Sequence, residues 1–442
     1  MKRSSNMFED LFFRLTADCR LRAKMQSAYI FRRINMDERK NCRSASDRIA
    51  WIDTAKGLAM LSIVLGHAAD KNGTDAVLLR MSMFCGVAMF FFLSGMTFCW
   101  KNSEKLYCAG KEDSFKGSRK RWKFFFTWRQ DAYFDHRPWH TFANDLWKTL
   151  IFPYLCWSVI SIVIYRCVGE YAAEALQSGK HHFEMCSNLL GMLYGNSCFQ
   201  GFNGQTGTYM EWNRPLWFLT CLTMVKFIWY FLLRCGGKRG AILRISVMFS
   251  SWICLLTCSS WKIKIYLPWE LETAIDVLWI FGLGRAFRIF LDQRTRGNRR
   301  NEKEIKRGKC LIGSLFSAVL LFLLLNPEQT LDFRADCVQY PHLLLPEMML
   351  GVTVILGAAI SFEKKRTLSY IGRNTLAILA MHKFILILFQ MKFGQNGADE
   401  SFLLLILRDL VMTLAAVGGC LAAEKILEAY FPWLFAKSKV QC

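Results

Sequence analysis

The chain has no CxxC pair and no Cys/His spacing of a zinc site, although it carries 17 cysteines in 442 residues. A structural zinc module is therefore excluded and no metal site is expected. Acidic residues are scarce, 35 against 57 Lys and Arg, for a formal charge of +22. No nucleic-acid motif accompanies that charge, so nucleic acid is not an expected partner. The first 49 residues lack the apolar core of a cleavable signal peptide. No internal repeat or low-complexity tract is evident. What the chain does have is apolar mass: 53% hydrophobic residues, 14% aromatics and 36 phenylalanines, gathered in long blocks with the basic residues in the gaps. That pattern belongs to an all-α polytopic membrane protein that meets the lipid bilayer directly.

About ten spans of helical length can be drawn, near 50–69, 79–100, 147–168, 215–234, 241–260, 268–286, 310–326, 341–361, 370–391 and 402–424. The Lys and Arg fall mostly in alternate gaps, as in Arg119-Lys120-Arg121, Arg299-Arg300 and Lys364-Lys365-Arg366. The long 169–214 loop has little beyond Lys180 and Arg214. By the positive-inside rule both termini are expected in the cytoplasm. The expected organisation is a basic N-terminal segment 1–49, a membrane domain 50–425 and a cytoplasmic tail 426–442. Segment 1–49 reads either as a basic arm on anionic lipid or, if translation begins at Met36, as a short polar lead. A further run, Arg121-Trp122-Lys123-Phe124-Phe125-Phe126-Thr127-Trp128-Arg129, has the composition of a segment lying among headgroups.

Inside the first span stand a lysine and a histidine, Lys56 and His67, with Asp53 nearer its start. Eleven helical steps return them to one face, about 16 Å apart. Taken singly, Lys56 reads as a snorkelling lysine neutralised by Asp53 three residues earlier, and His67 as an interfacial histidine. Two such groups on one stripe line a passage more readily than they face lipid. His382 is the other histidine well inside a span, with Asn374 two turns earlier and within about 80° of it on a continuous helix. Its two readings are a functional group of the bundle interior and a hydrogen-bonded structural histidine.

Two stretches complete the candidate set. Phe90-Phe91-Phe92-Leu93-Ser94-Gly95 closes the second span on a small pair, Ser94 and Gly95, that admits a close backbone or a ligand. Glu211-Trp212-Asn213-Arg214-Pro215-Leu216-Trp217-Phe218-Leu219 opens the fourth span. Its tryptophans read as aromatic-belt anchors. Alternatively Trp217, Glu211 and Arg214 suit a carbohydrate, which is commonly held by aromatic faces and charged hydrogen-bond partners.

With these motifs in order, the chain resembles the acyltransferase-3 family of integral membrane O-acyltransferases, in particular its fucose 4-O-acetylase-like branch. The resemblance runs over roughly 48–425. It is carried by Trp51-Ile52-Asp53 with Lys56 and His67, by Ser94 and Gly95, by Phe152-Pro153-Tyr154, by Pro215-Leu216-Trp217-Phe218-Leu219, and by Ile371-Gly372-Arg373-Asn374-Thr375 with His382. One departure stands out. Members of the branch often carry Phe-His-Met-Pro where this chain has Cys85-Gly86-Val87-Ala88, so that histidine is missing here.

The resemblance implies transfer of an acetyl group from acetyl-CoA to a hydroxyl of a cell-surface polysaccharide, at a bacterial inner membrane. No permanently bound cofactor is implied; acyl-CoA enters as co-substrate and a carbohydrate as acceptor. His67 is the implied general base, with an acetyl-histidine intermediate as the competing mechanism. Lys56 is the implied contact for the anionic or pantetheine part of CoA. Asp53, Ser94, Glu211, Arg214, Trp217, Asn374 and His382 are the implied binding residues. A transporter or lipid-linked sugar translocase is the alternative, against which stand the missing repeat and the ordered motifs.

Overall fold

A computed structural model of the protein describes residues 50–69, 76–98, 138–175, 185–196, 211–235, 237–261, 266–297, 307–324, 331–332, 337–338, 341–363, 365–393 and 402–435. The basic segment 1–49 and the aromatic-basic run 121–129 lie outside the described residues. Trp51–Cys442 forms one compact unit. It is almost entirely helical: α1 Ala50–Ala69, α2 Ala76–Thr97, α3 Trp139–Leu146, α4 Phe152–Ala175, α5 Met185–Tyr194, α6 Trp217–Arg234 and α7 Gly237–Trp261. There follow α8 Leu271–Asp276, α9 Leu278–Gly297, α10 Arg307–Leu324, α11 Pro341–Ser361, α12 Arg366–Arg373, α13 Thr375–Phe393 and α14 Phe402–Tyr430. The strands are two residues each, Leu331–Asp332 antiparallel to Cys337–Val338.

Lipid cannot drive helices together by hydrophobicity, so small residues and interhelical hydrogen bonds carry much of the contact. Gly95 of α2 lies against the Phe281 carbonyl of α9, and Gly284 of α9 against the Phe92 carbonyl of α2. The small end of the Phe-Leu-Ser-Gly stretch is thus a helix crossing. Arg285 of α9 donates from Nη1 to the Phe98 carbonyl at 2.9 Å, satisfying an acceptor at the end of α2 that has no helical partner. Ser314 of α10 donates to the Val354 carbonyl of α11 at 2.7 Å. Outward faces are apolar and exposed, for example Ile312, Phe316 and Leu323 on α10 and Leu403 and Leu407 on α14. An apolar surface of that extent suits acyl chains, not water.

Each of the ten intervals expected to span carries a helix, but fewer of the described helices meet the length and apolarity of a span on their own. Among the described residues five helices are long and apolar enough to cross a membrane, or six if one bent pair is a single span. The bent pair is α12 and α13, expected as one continuous span, which meet at 83°. Asn374 between them has φ −108° and ψ 23°, and Gly372 and Asn374 are both weak helix formers. Arg366, Tyr370 and Arg373 are exposed while Ser369, Ile371 and Gly372 are buried. This eight-residue helix thereby keeps an exposed face that carries two arginines and a packed face opposite it.

The 268–286 interval is likewise broken, at Val277, and begins with Trp269 and Glu270 in the left-handed region at φ 60° and 55°. At the third span the helix starts earlier than expected. α3 enters through a π-helical turn, Trp147–Ile151, that continues into α4. At the other end, α14 runs to Tyr430 and the turn Pro432–Phe435 packs back on the bundle. Trp157 there donates to the Leu434 carbonyl at 3.2 Å.

Candidate active site

The site is organised along α1. At the end that carries Asp53 and Lys56, α1 crosses α12 at backbone contact. Gly57 faces the Leu368 carbonyl, and Gly372 faces the Asp53 carbonyl, with no room for a side chain at either glycine. This crossing brings Arg373 to Asp53, Nε to Oδ2 at 3.2 Å. Asp53 is buried and Lys56 half-buried. The expected role of Asp53 as a neighbour for Lys56 is therefore accompanied by a long-range pairing 320 residues away.

At the other end of α1, the His67 ring stacks on the His382 ring of α13, centroids 5.3 Å apart and planes at 27°. His67 is half-buried and His382 fully buried behind it. His382 Nδ1 lies 2.8 Å from the Ile378 carbonyl. A carbonyl only accepts, so the proton sits on Nδ1, and in the neutral ring Nε2 carries the lone pair. That Nε2 is buried without a hydrogen-bond partner among the described residues. The arrangement leaves His67 as the approachable imidazole and holds it from behind with a ring of fixed tautomer.

Between the two ends, the stripe passes Ile63. A Cβ on Gly86 of α2 would lie 2.6 Å from Ile63 Cγ1 and 3.0 Å from the Ala59 carbonyl. Gly86 thus packs directly on the isoleucine that stands on the Lys56–His67 face, with no room for a side chain of its own.

The remaining candidates lie on other elements of the bundle. Trp217 is half-buried, with its ring 6.4 Å from Phe91 and 6.2 Å from Phe218. Phe218 in turn meets Phe90 and Phe91 at 5.8 and 5.0 Å. The Phe-Phe-Phe-Leu-Ser-Gly and Pro-Leu-Trp-Phe-Leu stretches therefore form one aromatic cluster. Ser94 is half-buried on the former and Arg214 exposed beside the latter. The side chain of Glu211 lies outside the described residues. Asn374 is buried at the α12–α13 break, so the helical angle that related it to His382 does not apply across the bend.

Two sets of polar residues were not singled out in the sequence. Asn213, 1% exposed, donates from Nδ2 to Ser161 Oγ at 2.7 Å and to the Ala380 carbonyl at 3.2 Å. It ties α4 to α13 two residues before His382. Its signal was an amide just ahead of the Arg-Pro pair, hidden among stronger charges. Asn213→Ala is expected to lower stability by about 1–3 kcal/mol through the lost buried hydrogen bonds, read as a lower unfolding midpoint of the purified protein. The second set is Glu270, Glu272 and Asp276, all buried. Glu272 accepts from Asn196 Nδ2 at 2.6 Å and from the Leu267 N–H at 2.9 Å. Three acids inside an apolar interval were the legible signal. Among the described residues no group of His, Cys, Asp and Glu could hold a metal ion.

Comparison with known proteins places this geometry in context. Residues 49–425 match the acyltransferase-3 family, described as an acyltransferase domain. No curated protein and no solved structure matches the chain. The matched region contains α1 with Asp53, Lys56 and His67, the paired His382 and every apolar helix described above up to the last turn of α14. With the family match covering well over half of a multi-pass helical chain, the protein belongs to the acyltransferase-3 family of membrane acyltransferases.

Proposed function

We propose that the protein transfers an acetyl group from acetyl-CoA to a carbohydrate hydroxyl of a bacterial envelope, with His67 as general base. The observation that carries this reading is the stacked pair of His67 and His382 at one end of the α1 face whose other end holds Lys56 and the Asp53–Arg373 ion pair. The positive-inside rule sets the Asp53 end toward the cytoplasm, where the donor is made. The acceptor then comes from the His67 end, and the two meet inside the bundle.

A hydroxyl is a weak nucleophile at neutral pH. His67 accepts the hydroxyl proton as the oxygen attacks the thioester carbon; the C–S bond then breaks and the proton passes from the imidazolium to the leaving thiolate. His382, unable to swing because its Nδ1–H is held by Ile378, fixes the plane of the His67 ring. Lys56 contacts the donor's pantetheine or phosphate portion, and Trp217 and Arg214 belong to the acceptor side.

Membranes containing the protein, given acetyl-CoA labelled in the acetyl group, test this. Label is expected in alkali-labile ester on carbohydrate with wild type. Label that never leaves CoA, together with loss of polysaccharide export on deletion, would favour the transport reading. Lys56→Ala is expected to raise the donor KM at least several-fold while leaving acceptor KM unchanged.

A further inference from the structure

We propose that the exposed stripe Arg366–Tyr370–Arg373 on α12 binds the nucleotide end of the acyl-CoA donor: the two arginines take its phosphates and Tyr370 faces its base. The inference rests on the reading above that a CoA thioester is the donor.

Three observations converge on α12. First, Arg373 meets Asp53 through Nε alone, at 3.2 Å, and its side chain is 54% exposed against 13% for Asp53. Both terminal nitrogens are left without a partner among the described residues. A guanidinium held side-on by a carboxylate keeps its fork pointing away, the geometry that receives a phosphate with two parallel hydrogen bonds. Second, the mount is stiff. Gly372, next in the chain, touches the Asp53 backbone, and Gly57 touches Leu368. The backbone that carries the guanidinium is therefore fixed before any ligand arrives, and the Asp53 contact removes part of the side chain's ordering cost.

Third, the helical spacing is selective. Residues 366, 370 and 373 stand at i, i+4 and i+7, one face of a helix, with the outer pair about 10 Å apart along the axis. All three are exposed, and Lys365 extends the cationic end. Lys425 of α14 lies 6.0 Å from the Tyr370 ring centroid, adding a further positive charge beside it. Two cations separated by an exposed aromatic ring suit a ligand with two separate phosphate groups and a purine. Phosphatidylglycerol offers one phosphate, and no phospholipid of this kind offers a purine for Tyr370, so the stripe has more functionality than anchoring to that headgroup requires. Its place beside Asp53, three residues from Lys56, puts the nucleotide where the pantetheine arm can follow the α1 face toward His67.

The test uses the purified full-length protein in phosphatidylcholine nanodiscs, titrated with CoA, 3′-dephospho-CoA and pantetheine. Wild type is expected to bind them in that order of decreasing affinity. Arg373→Gln and Arg366→Gln are each expected to weaken CoA binding about tenfold or more, the scale of a charge-assisted hydrogen bond, with pantetheine binding unchanged. Arg373→Lys retains the Asp53 contact and loses the fork, and is expected to lose most of the same affinity. Tyr370→Leu should weaken CoA and 3′-dephospho-CoA alike. CoA affinity equal to wild type in Arg373→Gln, Arg373→Lys and Arg366→Gln overturns the proposal. So does a pattern in which phosphatidylglycerol raises the unfolding midpoint of wild type but not of Arg373→Gln while CoA affinity is the same in both, which makes the stripe a headgroup site. Wild type that binds no CoA overturns the donor reading itself, a result distinct from either.

Discussion

His67→Ala is expected to lower acyl transfer by about 10²–10⁴-fold, the contribution of a positioned general base, while the protein remains folded and in the membrane. The ring is half-buried near the end of α1 and packs on His382, so truncation removes the imidazole without opening the backbone crossing at Gly57. His382→Phe keeps an aromatic surface for His67 to stack on but removes the nitrogens. It is expected to cost less than His67→Ala, and to do so in kcat, because a ring that only positions the base does not touch the donor. Thiol release from acetyl-CoA in the presence of the acceptor measures both variants on one scale. Equal losses in the two would instead assign direct contact with the reacting atoms to His382.

The second large effect is structural. Gly372→Ala places a methyl into the Asp53 carbonyl at the α1–α12 crossing. Two backbones must separate, and the Asp53–Arg373 pair separates with them. Overpacking of this kind costs about 1–3 kcal/mol and more where only backbone is available to move. The expected result is a lowered unfolding midpoint together with loss of activity. Gly418→Ala on α14 is the control, since nothing lies within 4 Å of the added carbon. A helical glycine replaced by alanine in open space gains up to about 1 kcal/mol. The same substitution thus has opposite signs at two helical sites, for reasons of space alone.

These contrasts show where the sequence was readable. Long apolar runs located a helix in each of the ten intervals, because a lipid-facing helix must be apolar through most of its length. Hydropathy carries no information on φ and ψ, so the 83° bend at Asn374 and the left-handed Trp269–Glu270 step were invisible. At the site, Lys56, His67 and His382 were identifiable as polar groups in apolar surroundings. Their geometry was only half legible. The α1 face follows from helical periodicity, whereas the His67–His382 stack joins residues 315 positions apart and Asp53–Arg373 spans 320. Asn213 escaped notice for a related reason. Its importance lies in what it touches, Ser161 and Ala380, and an amide beside Arg-Pro carries no periodic signature. The glycines at 57 and 372 read individually as helix-weakening residues; only their mutual approach gives them a purpose.

The most direct test of the account is the acetyl-ester content of surface carbohydrate, measured by proton NMR on cells that express wild type or His67→Ala at matched membrane levels. Ester signal with wild type that disappears with His67→Ala is the predicted result. Ester signal of equal strength from the two would contradict the assignment of His67 as the base.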